Sequence, residues 1–131
     1  MPKKNNLEDL VPPVEMCKTV YKTAPEAFAG SVFVWTYSCD KRIKEPFVDR
    51  REDIEFCRRD MVNAPSVYPA PTLVEIMDKL PRLVEYRWYE DGFYPSHPKF
   101  YAGDFADKNA AAAAMKLWLR IREKELRKNE R

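Results

Sequence analysis

The sequence has little of what membrane-spanning, secreted or disulfide-stabilised proteins need. No run approaches the ~20 apolar residues that cross a bilayer, and the opening segment MPKKNNLEDL lacks the apolar core of a signal peptide. The three cysteines are widely spaced and include no CxxC pair, which is poor material for a disulfide framework. We therefore expect a cytoplasmic protein with reduced thiols and no membrane contact.

The chain also lacks a large excess of charge of one sign. Lys and Arg number 23 against 21 Asp and Glu, so the net charge of +2 does not by itself indicate a nucleic-acid partner. The length of 131 residues, with 45% hydrophobic and 13% aromatic residues, suits one globular domain that needs no covalent staple. We predict a single domain over residues 1–131, with 1–10 disordered and 126–131 frayed.

Periodicity and turn-forming residues predict an α+β fold. Apolar residues at helical spacing and proline or alanine signals indicate helices at about 13–23, 72–80 and 108–127. The run SVFVWTY predicts a strand at 31–37, and VEYRWYEDGFYP begins a hairpin over 83–102 that turns at Asp91-Gly92. Prolines 95 and 98 interrupt its return strand, which resumes at Lys99. We expect an antiparallel sheet, extended by a segment in the 60s, with about three helices packed on one face.

The charged stretch 40–63 fits two structures. Period-two spacing of Ile54 and Phe56 suits the returning strand of a hairpin, whereas Phe47, Ile54, Cys57 and Met61 suit a helix. We favour a helix or irregular excursion around Arg50 to Arg59, followed by extended chain through Val67.

Prolines frame the short segment YPAPTLVEIMDKLP. Thr72 and Glu75 have the spacing of a capping box, in which each side chain satisfies a backbone donor of the first helical turn. Pro81 then ends the helix. A polyproline ligand motif is the alternative, but the capping box explains the run without one. At the other end, Asp107 or Asn109 can cap the alanine-rich helix.

Two runs, "PAPTLVEIMDKLP" and "ADKNAAAAAMKLWL", carry a resemblance. With the cysteine-centred first helix and the aromatic strands, they make the chain similar to a family of small uncharacterised proteins carried by prophages and mobile elements of gut bacteria. The resemblance covers about Pro13 to Arg122 and implies an α+β fold and a phage or mobile-element setting. It implies no activity, cofactor or catalytic residue.

Cysteine and histidine chemistry is the first kind of site to consider. Cys17, Cys39, Cys57 and His97 form a formal set of zinc ligands, but their gaps of 22, 18 and 40 residues are unlike the close pairs of structural zinc sites. A catalytic thiol needs a nearby base, and His97 is the one histidine. Nothing in the sequence brings it close to a thiol. We predict a protein that is not an enzyme and has no catalytic residue, cofactor or metal.

Aromatic residues on the strands form the candidate partner surface. A sheet covered by helices on one face leaves its other face to water, and that face then carries some of the rings. The candidate residues are Phe33, Trp35, Tyr37, Tyr86, Trp88 and Tyr89. We predict an unidentified protein partner, with self-association as one form of it. Weak binding of single-stranded nucleic acid is the alternative, and its basic residues would be Arg42, Lys44, Arg50, Arg51, Arg58 and Arg59.

Overall fold

The computed structural model describes residues 6–38, 42–58 and 67–129, together with their side chains except those of residues 6, 55–58, 128 and 129. The chain divides into two compact units, Met1–Thr72 (unit 1) and Leu73–Arg131 (unit 2). The predicted α+β class is confirmed, because each unit combines helices with an antiparallel sheet. The strands form a three-stranded sheet in unit 1 and a two-stranded sheet in unit 2, where we expected one sheet.

Unit 1 is built around a central strand. It contains, in chain order, a 3-10 helix (Asn6–Leu10), α1 (Val14–Thr23), β1 (Phe33–Thr36), β2 (Phe47–Arg50), α2 (Arg51–Arg58) and β3 (Val67–Pro69). β1 pairs antiparallel with β2 on one side and β3 on the other. The predicted first helix, first strand and strand in the 60s are therefore confirmed. The 3-10 helix covers part of the segment expected to be disordered, and residues 1–5 lie outside the described residues.

In the described part of the stretch 40–63, the favoured helix is confirmed as α2, and Ile54 and Phe56 belong to it and not to a strand. A strand that we did not predict, β2, precedes the helix at Phe47–Arg50. β2 returns beside β1, and α2 follows at once, with the N–H of Arg51 donating to the carbonyl of Val32 at 2.8 Å. The strand is hard to predict because it has four residues, of which only Val48 is buried. Our prediction of extended chain before Val67 falls on residues 59–66, outside those described.

The core of unit 1 forms on the aromatic side of β1. Trp35 is 7% exposed, and its indole N–H donates to the carbonyl of Pro12 at 2.9 Å, just before α1. The buried cluster around it is Val11, Cys17, Trp35, Val48 and Ala70, with Leu7, Val14, Phe33 and Tyr68 packed against it. Val34 and Thr36 are also buried, so β1 is covered on both faces. We had expected one face of this strand to be open.

Unit 2 contains a hairpin and a long helix. Its elements are α3 (Leu73–Met77), β4 (Glu85–Tyr89), β5 (Gly92–Ser96), a 3-10 helix (Ala102–Asp104) and α4 (Ala110–Asn129). The predicted turn is wrong by one position, because Tyr89 pairs with Gly92 and the loop residues are Glu90 and Asp91. β5 also runs through Pro95 without a break.

The short helix α3 ends earlier than we predicted. It stops at Met77, and two tight turns follow, in which Lys79 and Leu80 donate to carbonyls three residues back at 3.0 and 3.1 Å. Such turns satisfy helix-end carbonyls with less regular geometry.

The start of α4 is fixed by a side-chain cap, as we predicted. Asn109 Oδ1 accepts from the N–H of Ala112 at 3.0 Å. Ala111 to Ala114 are buried and present only methyl groups, which lets the helix approach its neighbours closely. No helix among the described residues is long and apolar enough to cross a membrane.

Substitution of Gly92 tests the junction between the hairpin and α4. Gly92 has φ +151°, and a Cβ there would lie 2.9 Å from the backbone oxygen of Asp107. We expect Gly92→Ala to lower the free energy of unfolding by about 1–3 kcal/mol, because both the φ and the contact are strained. Gly30→Ala is the control, since a Cβ at Gly30 meets nothing within 4 Å. Equal destabilisation of both variants in urea unfolding would contradict the expectation.

Candidate functional site

The structure describes the side chains of two of the four cysteine and histidine residues, Cys17 and His97. Cys17 lies in the core of unit 1 and is 1% exposed, while His97 belongs to unit 2. The Nδ1 atom of His97 accepts from the N–H of Lys99 at 3.1 Å, and burial followed by the charges of Lys99 and Lys124 lowers the pKa of the ring. Cys39 and the side chain of Cys57 are not described. Within the described ranges, no three metal-ligating side chains gather.

The thiol of Cys17 is buried and unreactive. Burial raises the pKa of its thiol to about 12, although a side-chain hydrogen bond with Trp35 acts in the opposite direction. Its Sγ donates to the carbonyl of Pro12 at 3.5 Å. The residue therefore acts as a small buried side chain, as its position on the apolar side of α1 suggests.

Thiol labelling tests this assignment. At pH 8 we expect iodoacetamide to leave Cys17 unmodified in the native chain and to modify it after denaturation, because the reactive thiolate is scarce and shielded. Mass spectrometry of the peptide that contains Cys17 measures the extent. Labelling of native Cys17 at the rate of a free cysteine would show that the residue is accessible.

The six candidate partner residues have different environments. Trp35 is buried by the core of unit 1, which removes it from any exposed surface, and Phe33 and Tyr37 are half-buried. Lys18 of α1 lies over the ring of Tyr37, 5.3 Å from its centroid. In unit 2, Tyr86 is half-buried, whereas Trp88 and Tyr89 are 65% and 51% exposed. The accessible part of the candidate surface is thus on strand β4.

The two faces of the hairpin carry different side chains. Phe93 lies between Tyr86 and Trp88 on one face, with ring centroids 5.8 and 4.7 Å away. Phe93 and Pro95 are fully buried and α4 packs on β5, so this face is covered at β5 and open at Trp88. On the opposite face, the rings of Tyr89 and Tyr94 meet edge to face at 5.0 Å. β4 therefore forms the outer border of the hairpin.

The backbone of β4 presents hydrogen-bonding groups outward. The N–H of Phe93 donates to Asp107 at 2.8 Å and its carbonyl accepts from Asp107 at 3.2 Å, so neither group faces β4. Trp88, directly opposite Phe93, is therefore at a non-hydrogen-bonded position and directs its own N–H and carbonyl away from β5. The alternation of antiparallel pairs gives Tyr86 the same orientation. No described residue pairs with this outer edge.

Charges of both signs line the hairpin. The carboxylate of Glu85 and the guanidinium of Arg87 lie 3.6 Å apart on the face opposite Trp88, and both are well exposed. A hydrogen bond with the Tyr89 side chain is the main cause that raises the pKa of Arg87. At the turn, the hydroxyl of Tyr94 donates to Asp91 at 2.6 Å, which raises the pKa of that phenol. Trp88 thus lies on one face of the edge, and the charges of Glu85 and Arg87 lie on the other face with Tyr89.

The basic residues considered for nucleic acid lie elsewhere in the chain. Arg42, Lys44 and Arg50 are exposed in unit 1. Arg51 is held by Ser31: its Nε donates to the carbonyl at 2.8 Å and its Nη2 to the hydroxyl at 3.0 Å. Its hydrogen bonds join the start of α2 to Ser31, which precedes β1. Arg51 also lines an open cleft of about 300 Å³. The side chain of Arg58 and all of Arg59 lie outside the described residues.

The YPAP run belongs to the sheet of unit 1. Tyr68 pairs with Trp35 in the register of β3 and β1, and the N–H of Ala70 donates to the carbonyl of Phe33 at 3.0 Å. These contacts give the run a structural role.

No family model, curated protein or solved structure matches this chain. The candidate site is therefore identified from the geometry of the hairpin alone.

Amide hydrogen exchange tests the orientation of the β4 backbone. In the free chain at low concentration, we expect the amides of Arg87 and Tyr89 to exchange more slowly than those of Tyr86 and Trp88, because only the former pair donate to β5. NMR-detected exchange resolves the individual amides. Equal protection along β4, or the reverse alternation, would show that a different set of groups faces outward.

Proposed function

We propose that the chain is a small accessory protein of a phage or mobile element that works as a protein-binding module and not as an enzyme. The mobile-element setting rests on the resemblance of the two quoted runs. The observation that supports the binding role is the outer edge of β4, where outward backbone groups and the exposed ring of Trp88 lie together.

The mode of binding we propose is addition of an extended strand to this edge. The N–H and carbonyl groups of Tyr86 and Trp88 offer a ladder that an incoming strand completes. Trp88 supplies apolar area next to the ladder, and well-packed tryptophans in an interface often dominate the binding energy. The ring of Trp88 packs against that of Phe93, with the two centroids 4.7 Å apart.

A peptide-display selection tests the proposal. We expect peptides selected on the immobilised chain to be extended and to protect the amides of Tyr86 and Trp88 from exchange. Trp88→Lys is expected to weaken their binding about tenfold or more, because it removes the central ring. Val74→Lys is the matched control, since Val74 is 66% exposed on α3 of the same unit. If selected peptides bind both variants equally, or leave the two amides unprotected, the β4 edge is not the binding site.

Single-stranded nucleic acid remains the alternative because Arg87 shares one face of β4 with the exposed ring of Tyr89. The local charge does not favour it, since Glu85 pairs with Arg87 and the turn that follows Tyr89 carries Glu90 and Asp91. An oligonucleotide titration at several salt concentrations discriminates, because phosphate contacts give a steep salt dependence. Binding that falls steeply with salt would favour this alternative over strand addition.

A further inference from the structure

We infer that the strand received by the β4 edge is β4 of a second copy of this chain, paired antiparallel about a two-fold axis at Tyr86. This inference rests on the proposed strand-addition function and adds the identity of the occupant. The backbone register and the charges of β4 together select this pairing.

The outward backbone groups restrict the possible registers. Two copies of an edge strand form a ladder only when residues with outward groups face one another. In β4 these are Tyr86 and Trp88, so a symmetric antiparallel pair has its axis at Tyr86, at Trp88 or at the residue between them.

Charge then selects among these registers. An axis at Arg87 places each Arg87 opposite its own copy, and like charges directly opposite one another are destabilising. An axis at Trp88 places Arg87 opposite Tyr89 and leaves Glu85 beyond the end of the partner's strand, so neither charge gains a partner of opposite sign. An axis at Tyr86 places each Glu85 opposite the other copy's Arg87. Because Glu85 and Arg87 are already 3.6 Å apart within one strand, the four charges then alternate in sign around a square.

The register with its axis at Tyr86 also brings the charged side chains close together and gives partners to outward backbone groups of β4. Glu85 and Arg87 occupy non-hydrogen-bonded positions across the new interface, where side chains lie closest. The two Tyr86 residues exchange hydrogen bonds on the axis, and the N–H of each Trp88 faces the carbonyl of Val84 in the other copy. The N–H of Val84 already donates to Pro81 at 3.1 Å, so the ladder ends at these bonds and the carbonyl of each Trp88 is left to water.

Apolar groups meet at both ends of this pairing. Leu83, which is 55% exposed in the turn from Pro81 to Val84, lies just outside the ladder, at the end where Tyr89 of the second copy stands. Trp88 stands opposite Val84. The product is a four-stranded antiparallel sheet in the order β5, β4, β4, β5, which removes the open edge from both copies.

Charge reversal in the full chain tests the inference by sedimentation velocity over a concentration series. The wild-type chain is expected to form a species of twice the 15.5 kDa chain mass. Glu85→Arg and Arg87→Glu are each expected to weaken self-association by about tenfold or more, because each turns two attractive cross-strand pairs into two repulsive ones. The doubly reversed chain is expected to associate as the wild type does, and an equimolar mixture of the two single variants to form a heterodimer.

Matched charge changes on the exposed surface of α4 provide the controls. Glu125→Arg and Arg122→Glu alter the net charge by the same amounts and are expected to leave association within about twofold of wild type, since neither residue is on the hairpin. Circular dichroism confirms that each variant is folded.

The outcomes separate this inference from the function on which it rests. A wild-type chain that stays monomeric, a double variant that fails to recover, or single variants that associate as tightly as wild type would each overturn self-pairing at Tyr86. If selected peptides still protect the amides of Tyr86 and Trp88 in that case, strand addition stands and only its occupant is wrong. If association occurs as expected, the same peptides compete with it.

Discussion

The two hydrogen bonds between Phe93 and Asp107 determine the arrangement of unit 2. They occupy the inner edge of β5 and leave β4 as the outer strand. The same Asp107 accepts from the N–H of Asn109 at 2.9 Å and pairs with Lys116 at 2.9 Å, so it also sets the start of α4. Burial alone would raise the pKa of this carboxyl, but hydrogen bonds from Lys116 and Asn109 lower it, which keeps the carboxylate charged at neutral pH. One residue thereby joins the hairpin to the helix that covers it.

Much of the fold could be predicted from long or strongly marked segments. α1 and α4 show helical periodicity over ten or more residues, and β1 is rich in β-branched and aromatic side chains. β2 was not predicted, since it is short and carries one buried residue. The hairpin turn was misplaced because Asp-Gly is a common turn pair, whereas Gly92 serves the close approach to Asp107. That contact is distant in sequence and leaves no local signal.

The candidate site was predictable in part. Sequence identified Trp88 and Tyr89 as members of an aromatic set, and alternation separated their faces. It could not reveal that Trp35 is buried, because that depends on Pro12, 23 residues away, offering its carbonyl to the indole. It could not reveal which backbone groups of β4 face outward either. That orientation follows from the pairing of β5 with Asp107, and the misplaced turn would have reversed it.

The edges of the two sheets differ in a way that bears on interaction. In unit 1, β2 is accompanied by the 3-10 helix and β3 by α1, whereas β4 has β5 as its principal neighbour. Exposed edges in natural proteins are commonly protected by lysines, prolines or bulges that discourage pairing. β4 has none of these, and its two charged residues are of opposite sign. A strand with like charges repels another copy of itself, but Glu85 and Arg87 attract one when the two strands run antiparallel. The chemistry of this edge is therefore suited to being paired.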